Sequence, residues 1–230
     1  MADYTTLAEV KDEIKLVDAA GAESDFLNDL IDAATKKINN FCGRPEGFVA
    51  LAAAEARYFT GTGKDFLRIN ECVEITTVSV KDSATDTTYT DWTSPTTNWA
   101  GDGDWLAYAR SPKHPDFTPL SRGRPYTGLM TDPNGSYSVF TSGFRNVGVR
   151  KGYGLPTVKV TAKWGFAVTV PPDIKQACIM TVARWYKQLR SQMQDGVANV
   201  DFGTLLYTQR MHPAIASILL DGAYKRHEVG

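Results

Sequence analysis

Few residues in this chain are placed to do chemistry. The three histidines, His114, His212 and His227, lie far apart and share no metal-ligand spacing. His114 sits between Lys113 and Pro115 in a loop-like stretch. His212 precedes Pro213 where a helix should start, so a capping or structural role fits it better than ligation. Gly101-Asp102-Gly103-Asp104 resembles part of a calcium loop, but the downstream glutamate of the EF-hand pattern is missing, and a turn is the expectation. There is no G-x-S-x-G, no P-loop and no dinucleotide fingerprint. Carboxylates are plentiful, yet nothing singles out an acid–base pair. Cys42, Cys72 and Cys178 are too widely spaced for a disulfide framework or a zinc site, and buried thiols in a reducing compartment are expected. These features predict a non-enzymatic protein with no catalytic residue, no metal and no cofactor.

Charge and aromatic residues are distributed more tellingly. Residues 1–35 hold Asp3, Glu9, Asp12, Glu13, Asp18, Glu23, Asp25, Asp29 and Asp32 against only Lys11 and Lys15. From Pro133 to Pro172 there is no acid, but Arg145, Arg150, Lys151, Lys159 and Lys163 are present. Opposed fields of this kind steer encounter and fix register between subunits, although charge runs are as often plain solvated faces. Residues 144–154 mix Phe, Arg, Val, Lys, Tyr and Gly, as a partner-binding arm would; a surface loop packed by its own aromatics is the plainer alternative. Trp92, Trp99 and Trp105 fall between Tyr89 and Tyr108, a set that could stack on sugars but more often builds the core of a small β unit.

The elements that must position these residues are legible in part. Thr6 and Glu9 form a capping-box pattern ahead of Leu7, Val10 and Ile14 at helical spacing. A second helix is predicted from Ser24 or Asp25, with Leu27, Leu30, Ile31, Ala34, Ile38 and Phe41 on one face and Gly43 as its stop. After Ala56 the texture turns to β: Arg57–Phe59, Phe66–Ile69 and Val73–Val80 read as strands. Residues 111–156 are dense in Pro and Gly and are expected to be a long loop. Alternation at Val158, Val160, Ala162 and Trp164 marks a returning strand. Pro171-Pro172-Asp173 then opens a long helix with the stripe Ile174, Ala177, Cys178, Thr181, Trp185 and Leu189, and a short helix follows His212-Pro213.

The fold class expected is α+β, a small helical bundle with an inserted β-rich domain. Its boundaries are expected at 1–55 and 165–230 for the helical part, which is discontinuous, and at 56–164 for the insertion. Short helices need a partner surface, and the long third helix offers one. The 230 residues, 43% hydrophobic and 22% charged with net charge −1, suit a globular protein and disfavour one that coats nucleic acid over its whole surface. No secretory segment is visible near the N-terminus, and no apolar run approaches the ~20 residues that span a bilayer, so a soluble protein made in the cytoplasm is expected.

The order of these pieces resembles the head–tail connector (adaptor, or head-completion) proteins of tailed bacteriophages. The resemblance is carried by Tyr4-Thr-Thr-Leu7-Ala-Glu9 and Phe41-Cys42-Gly43-Arg44. Further along it rests on Arg57-Tyr58-Phe59-Thr60-Gly61, Trp164-Gly165 with Pro171-Pro172-Asp173-Ile174-Lys175-Gln176-Ala177, and Arg184-Trp185-Tyr186. Pro213-x-Ile215 with Leu219-Leu220 and Tyr224-Lys225-Arg226 complete it. It covers roughly residues 4–80 and 157–226; no single motif is specific, but their order is.

The resemblance implies a virion protein at the head–tail interface, made in the host bacterial cytoplasm. Such a protein docks as a ring on the portal, extends the DNA channel and offers the tail its attachment surface. The implied partners are the portal protein, about twelve copies of itself to match the portal, a tail or head-closure protein, and passing double-stranded DNA without sequence specificity. No membrane is implied. Candidate partner or channel contacts are Arg145, Arg150, Lys151, Lys187, Arg190, Tyr224, Lys225 and Arg226. The alternative is a carbohydrate-binding or other tail-side binding module built on the β domain. Sequence-specific DNA readout is disfavoured because no recognised binding module is visible.

Overall fold

The computed structural model describes residues 3–16, 23–98, 100–144, 154–194, 211–222 and 224, with the backbone alone for 191–194. The chain divides into two units: Met1–Phe48 with Val170–Gly230 make unit 1, and Val49–Thr169 make unit 2. Helices fill the first and an antiparallel sheet the second, which makes the fold α+β.

In unit 1, helix α1 (Leu7–Ile14) starts where the capping box predicts. The Glu9 N–H donates to the Thr6 hydroxyl at 3.4 Å, and the Thr6 N–H donates back to the Glu9 carboxylate at 3.1 Å. Helix α2 (Ser24–Cys42) buries Leu27, Ile31, Ala34, Thr35, Ile38, Asn39 and Cys42, a stripe at 3.6-residue spacing. Gly43 ends it at φ 66°, a left-handed conformation that favours glycine.

Helix α3 (Pro172–Gln194) packs on α1, α2 and the last helix, α4 (Pro213–Asp221). Its buried face runs through Ile174, Cys178, Val182 and Tyr186, so the expected stripe drifts at its end. Trp185 is half-buried with the Lys37 ammonium 5.3 Å from its ring, and Leu189 is exposed. Four-residue steps from Ile174 reach Tyr186, whose hydroxyl donates to Glu23. His212 caps α4 by accepting the Ala214 N–H at Nδ1, 3.3 Å away.

The two ends of the described chain close on Phe48, which is wholly buried. Its ring meets Tyr4 edge-on at 5.8 Å and Tyr224 edge-on at 5.7 Å, with the Arg44 guanidinium 5.1 Å from its centre. Arg44 is itself buried and donates through Nε to the Tyr224 carbonyl at 2.7 Å. The Tyr4 hydroxyl donates to Asn39 and accepts the Phe48 N–H at 3.1 Å. The Tyr224 hydroxyl donates to Asp173 at 3.0 Å, tying the chain's end to the start of α3. Burial pushes both tyrosines up to about 12, so each remains a donor across the physiological range.

Unit 2 contains β1 (Glu55–Phe59), β2 (Phe66–Val80), β3 (Thr90–Trp92), β4 (Trp105–Ser111), β5 (His114–Asp116), β6 (Tyr126–Thr131) and β7 (Val158–Trp164). The sheet order is β1-β7-β2-β6-β4-β5, with β3 also on β2. Strand β2 joins two expected strands into one. Its first half pairs with β6 from Phe66–Met130 to Cys72–Tyr126; its second half pairs with β7 from Cys72–Trp164 to Val80–Val158. Register shifts near Arg68–Cys72 and Ile75–Thr77 bend the strand between these partners.

The expected loop at 111–156 instead contains β5, a 3₁₀ turn at Pro119–Arg122, and β6, an interior strand. Gly128 disguised β6. It sits mid-strand because the Tyr108 ring lies against it, and a Cβ there would come within 2.4 Å of the ring. Trp92 stacks on Tyr137 at 4.7 Å and on Phe140 at 5.0 Å. Together with Leu67, Val78, Trp105, Leu129, Val160 and Trp164 these rings form the core.

Two expectations follow for unit 1. Phe48→Ala should destabilise it by about 3–5 kcal/mol, read as an earlier loss of helical signal in urea. The Glu9 carboxyl is held down to about 2 by hydrogen bonds from Lys175, the Thr6 N–H and the Thr5 hydroxyl. A depressed carboxyl contributes stability above its unfolded value of 4.5, and loses it as pH falls toward about 2. Glu9→Gln should therefore melt below the parent at pH 7, and the two melts should converge over that interval.

Candidate partner-contact surface

The expected contact residues fall into three groups. Arg145, Arg150, Lys151, Lys225 and Arg226 lie outside the described residues. On α3, Lys187 is exposed, whereas Arg190 is ion-paired with Glu23 and donates through Nε to the Tyr186 hydroxyl at 3.2 Å. Tyr224 is buried in the Phe48 cluster, so its ring serves the interior of its own unit.

The described residues flanking 145–153 form a closed stem in unit 2. The Gly143 N–H donates to the Gly61 carbonyl at 2.9 Å, and the Leu155 N–H donates to the Gly143 carbonyl at 2.9 Å. Thr60 Oγ1 donates to the Gly154 carbonyl at 3.1 Å. Thr157, wholly buried, ties three segments of chain: its hydroxyl accepts the Gly61 N–H at 3.0 Å and donates to the Thr141 carbonyl at 2.6 Å. Backbones approach so closely that a Cβ on Gly61 or Gly143 would lie 2.0 Å from a carbonyl oxygen. The two ends of the basic segment thus leave from one fixed point on the sheet.

Around this stem the surface is apolar and aromatic. Tyr58 (59% exposed), Phe144 (56%) and Leu155 (40%) stand out from it, where a globular surface ordinarily shows such residues singly. Tyr58 meets Tyr89 at 5.9 Å, and the Tyr89 hydroxyl donates to the Pro156 carbonyl at 2.9 Å. The Lys81 ammonium lies 4.9 Å from the Tyr89 ring. Lys159 stands directly opposite Tyr58 in the β1–β7 ladder, on the same side of the sheet. Sequence reading missed Tyr58 and Leu155 because a single exposed aromatic in a strand reads as core. Only the pairing with the segment's ends brings them together.

No catalytic arrangement is assembled elsewhere among the described residues. Asp104 accepts the Thr93 and Ser136 N–H groups at 2.8 Å each. Burial pushes its carboxyl up, but those backbone bonds outweigh it and hold the group below the usual range. Asp102 accepts the Thr96 N–H at 3.0 Å. Both therefore fasten turns, and no group of three or more His, Cys, Asp or Glu among the described residues could hold a metal. All three thiols are buried, and burial pushes Cys72 up to about 12 and Cys178 to about 11, which makes neither a nucleophile near neutral pH. Trp92 and Trp105, expected as possible sugar-stacking rings, are 5% and 4% exposed and belong to the core; Trp99 lies outside the described residues. No helix among the described residues is long and apolar enough to cross a membrane.

No protein-family model and no curated protein matches the chain. Among solved structures, it is similar to a chain of the one described as "Neck of empty GTA particle computed with C6 symmetry". The identity is 16% and the TM-score 0.48, with 99% of this chain and 92% of that one covered. The function proposed below rests on this chain's own residues.

The stem makes a direct prediction. Thr157→Val keeps the side chain's shape but strands the Gly61 N–H and the Thr141 carbonyl. It should cost about 1–3 kcal/mol in the denaturation of unit 2, followed by tryptophan fluorescence.

Proposed function

We propose that the protein is a structural virion component, a head–tail connector. It docks as a ring on the portal at a capsid vertex, extends the DNA channel and presents the surface to which the tail attaches. The observation that supports this most is where the family-like motifs go in the fold. Phe41-Cys42-Gly43-Arg44 and Pro171-Pro172-Asp173 are about 130 residues apart in sequence, and Tyr224 is further still. Yet Gly43 caps α2, Arg44 donates to the Tyr224 carbonyl, and Asp173 accepts the Tyr224 hydroxyl. Residues from three of the motifs that carry the resemblance thus meet where the helical unit closes.

In this reading α3 and the segment after Gly196 face the portal. Lys187, with Arg145, Arg150 and Lys151, lends positive potential to passing duplex DNA or to a neighbouring protein, without base readout. A head-closure or tail protein takes the opposite face. Assembly, and not chemistry, is the activity.

The test is to mix the protein with portal-bearing, tail-less capsids of its own particle and to image the vertex by cryo-electron microscopy. A ring beneath the portal, matched to its symmetry, is expected. A bare vertex with folded protein in solution would overturn the proposal and turn attention to a tail-side binding module. Truncating the C-terminus is uninformative, because Leu219 and Tyr224 are buried in unit 1. Replacing residues 144–153 by a short Asn-Gly turn is the sharper variant: the stem bonds at Gly143 and Leu155 remain, so folding should persist while ring formation fails.

A further inference from the structure

The apolar patch around the stem has a counterpart of opposite charge on the same chain. On α2, Asp25, Asp29 and Asp32 recur at i, i+4 and i+7 and are all exposed, with Phe26 beside them at 42% exposure. On α1, Asp12 and Glu13 are exposed as well. Among the described residues the one ion pair on this α2 row is Asp32 with Lys36 at 3.6 Å, between two well-exposed side chains. Like charges also crowd here: partial burial and the neighbouring Asp32 carboxylate raise the Asp3 carboxyl above its usual range. The face is therefore acidic with a phenyl ring in it, and among the described residues only Lys36 is ion-paired to this row of α2.

The stem patch is the complementary case. Tyr58, Phe144 and Leu155 are exposed with their rings or aliphatic groups on the surface, and Lys81 and Lys159 lie beside the tyrosines Tyr89 and Tyr58. Asp91, opposite Ser79 in the next ladder, is the acid nearest in the same row. Duplex DNA would use the lysines but would have no use for exposed Tyr, Phe and Leu side chains, since its bases are already stacked. Aromatic and aliphatic anchors ringed by charge are the anatomy of a protein–protein contact.

We propose that the stem patch of one copy, centred on Tyr58, Phe144 and Leu155 with Lys81 and Lys159, docks on the acidic α1–α2 face of a second copy, centred on Phe26 with Asp25 and Asp29. This deepens the connector reading and rests on it. The contact joins two different surfaces, so it is heterologous; each copy offers one of each, and repetition gives a closed ring or an open filament. Apolar anchors supply attraction, while the opposed charges set which face meets which.

The experiment is a charge swap on portal-bearing capsids, read as copies bound per vertex. One variant carries Asp25→Lys and Asp29→Lys; the other carries Lys81→Glu and Lys159→Glu. Asp25 and Asp29 are exposed and Lys81 and Lys159 half-buried, and matched thermal melts establish that both variants fold. Each variant alone meets its own kind with like charges, and occupancy should fall by about tenfold or more. Mixed in equal amounts, the two alternate with complementary faces, and occupancy should return toward the parent's. Variants that fill the ring as the parent does, or a mixture no better than its components, would overturn the inference and leave the connector reading standing. A parent that leaves the vertex bare would overturn both.

Discussion

One buried ring holds the two ends of the described chain together. Phe48 lies between Tyr4, from the start of the described chain, and Tyr224, from its end, and it directly precedes the β unit. Edge-to-face contacts of this kind give only ~0.5–1.5 kcal/mol each beyond area burial, so the rings alone would not fix the closure. Polar groups do that. Arg44 carries its charge into the interior and offers Nε to the Tyr224 carbonyl, and the tyrosine hydroxyls find Asn39 and Asp173. A buried guanidinium is costly unless bonded, and the Tyr224 carbonyl supplies one of its bonds. The cluster therefore sets the C-terminal segment's position as well as packing it. Helix α3 then spans the unit and receives α1, α2 and α4.

Unit 2 solves a different problem, that of building one sheet from strands of very unequal length. Strand β2, from Phe66 to Val80, is long enough to serve two neighbours in succession, β6 and then β7. Its register shifts turn the strand so that both halves contribute to one aromatic core. The stem of residues 140–144 and 154–157 is fastened to the chain between β1 and β2, not to an open edge.

The sequence made the helices plain and the sheet only partly so. A capping box, a glycine stop and a Pro-Pro-Asp start are local signals, each satisfied by bonds within a few residues, and α1, α2 and α3 began or ended as they predicted. Strand β6 was hidden because its identity depends on Tyr108, about twenty residues away in sequence. Gly128 reads as a breaker until that ring is seen against it. The contact surface was half legible for the same reason. Basic residues between 145 and 151 stand out by composition, but Tyr58 and Tyr89 reach the stem at Pro156 and the neighbouring Lys159 only through long-range pairing. Arg190 and Tyr224 looked like surface groups from their neighbours in sequence, and their partners Glu23 and Asp173 lie more than fifty residues away.

The division of the chain has a consequence for how it is made. Every strand of unit 2 lies between Glu55 and Trp164, so the sheet is complete in sequence before α3 emerges from a ribosome. Unit 1 has no such independence, since α1 and α2 precede the insertion and their partner helix α3 follows it. Their apolar stripes must wait, exposed, while the whole insertion is translated, and chain elongation runs at about 5–20 residues per second. Emergence of α3, not completion of the sheet, is the step that gives those stripes their partner.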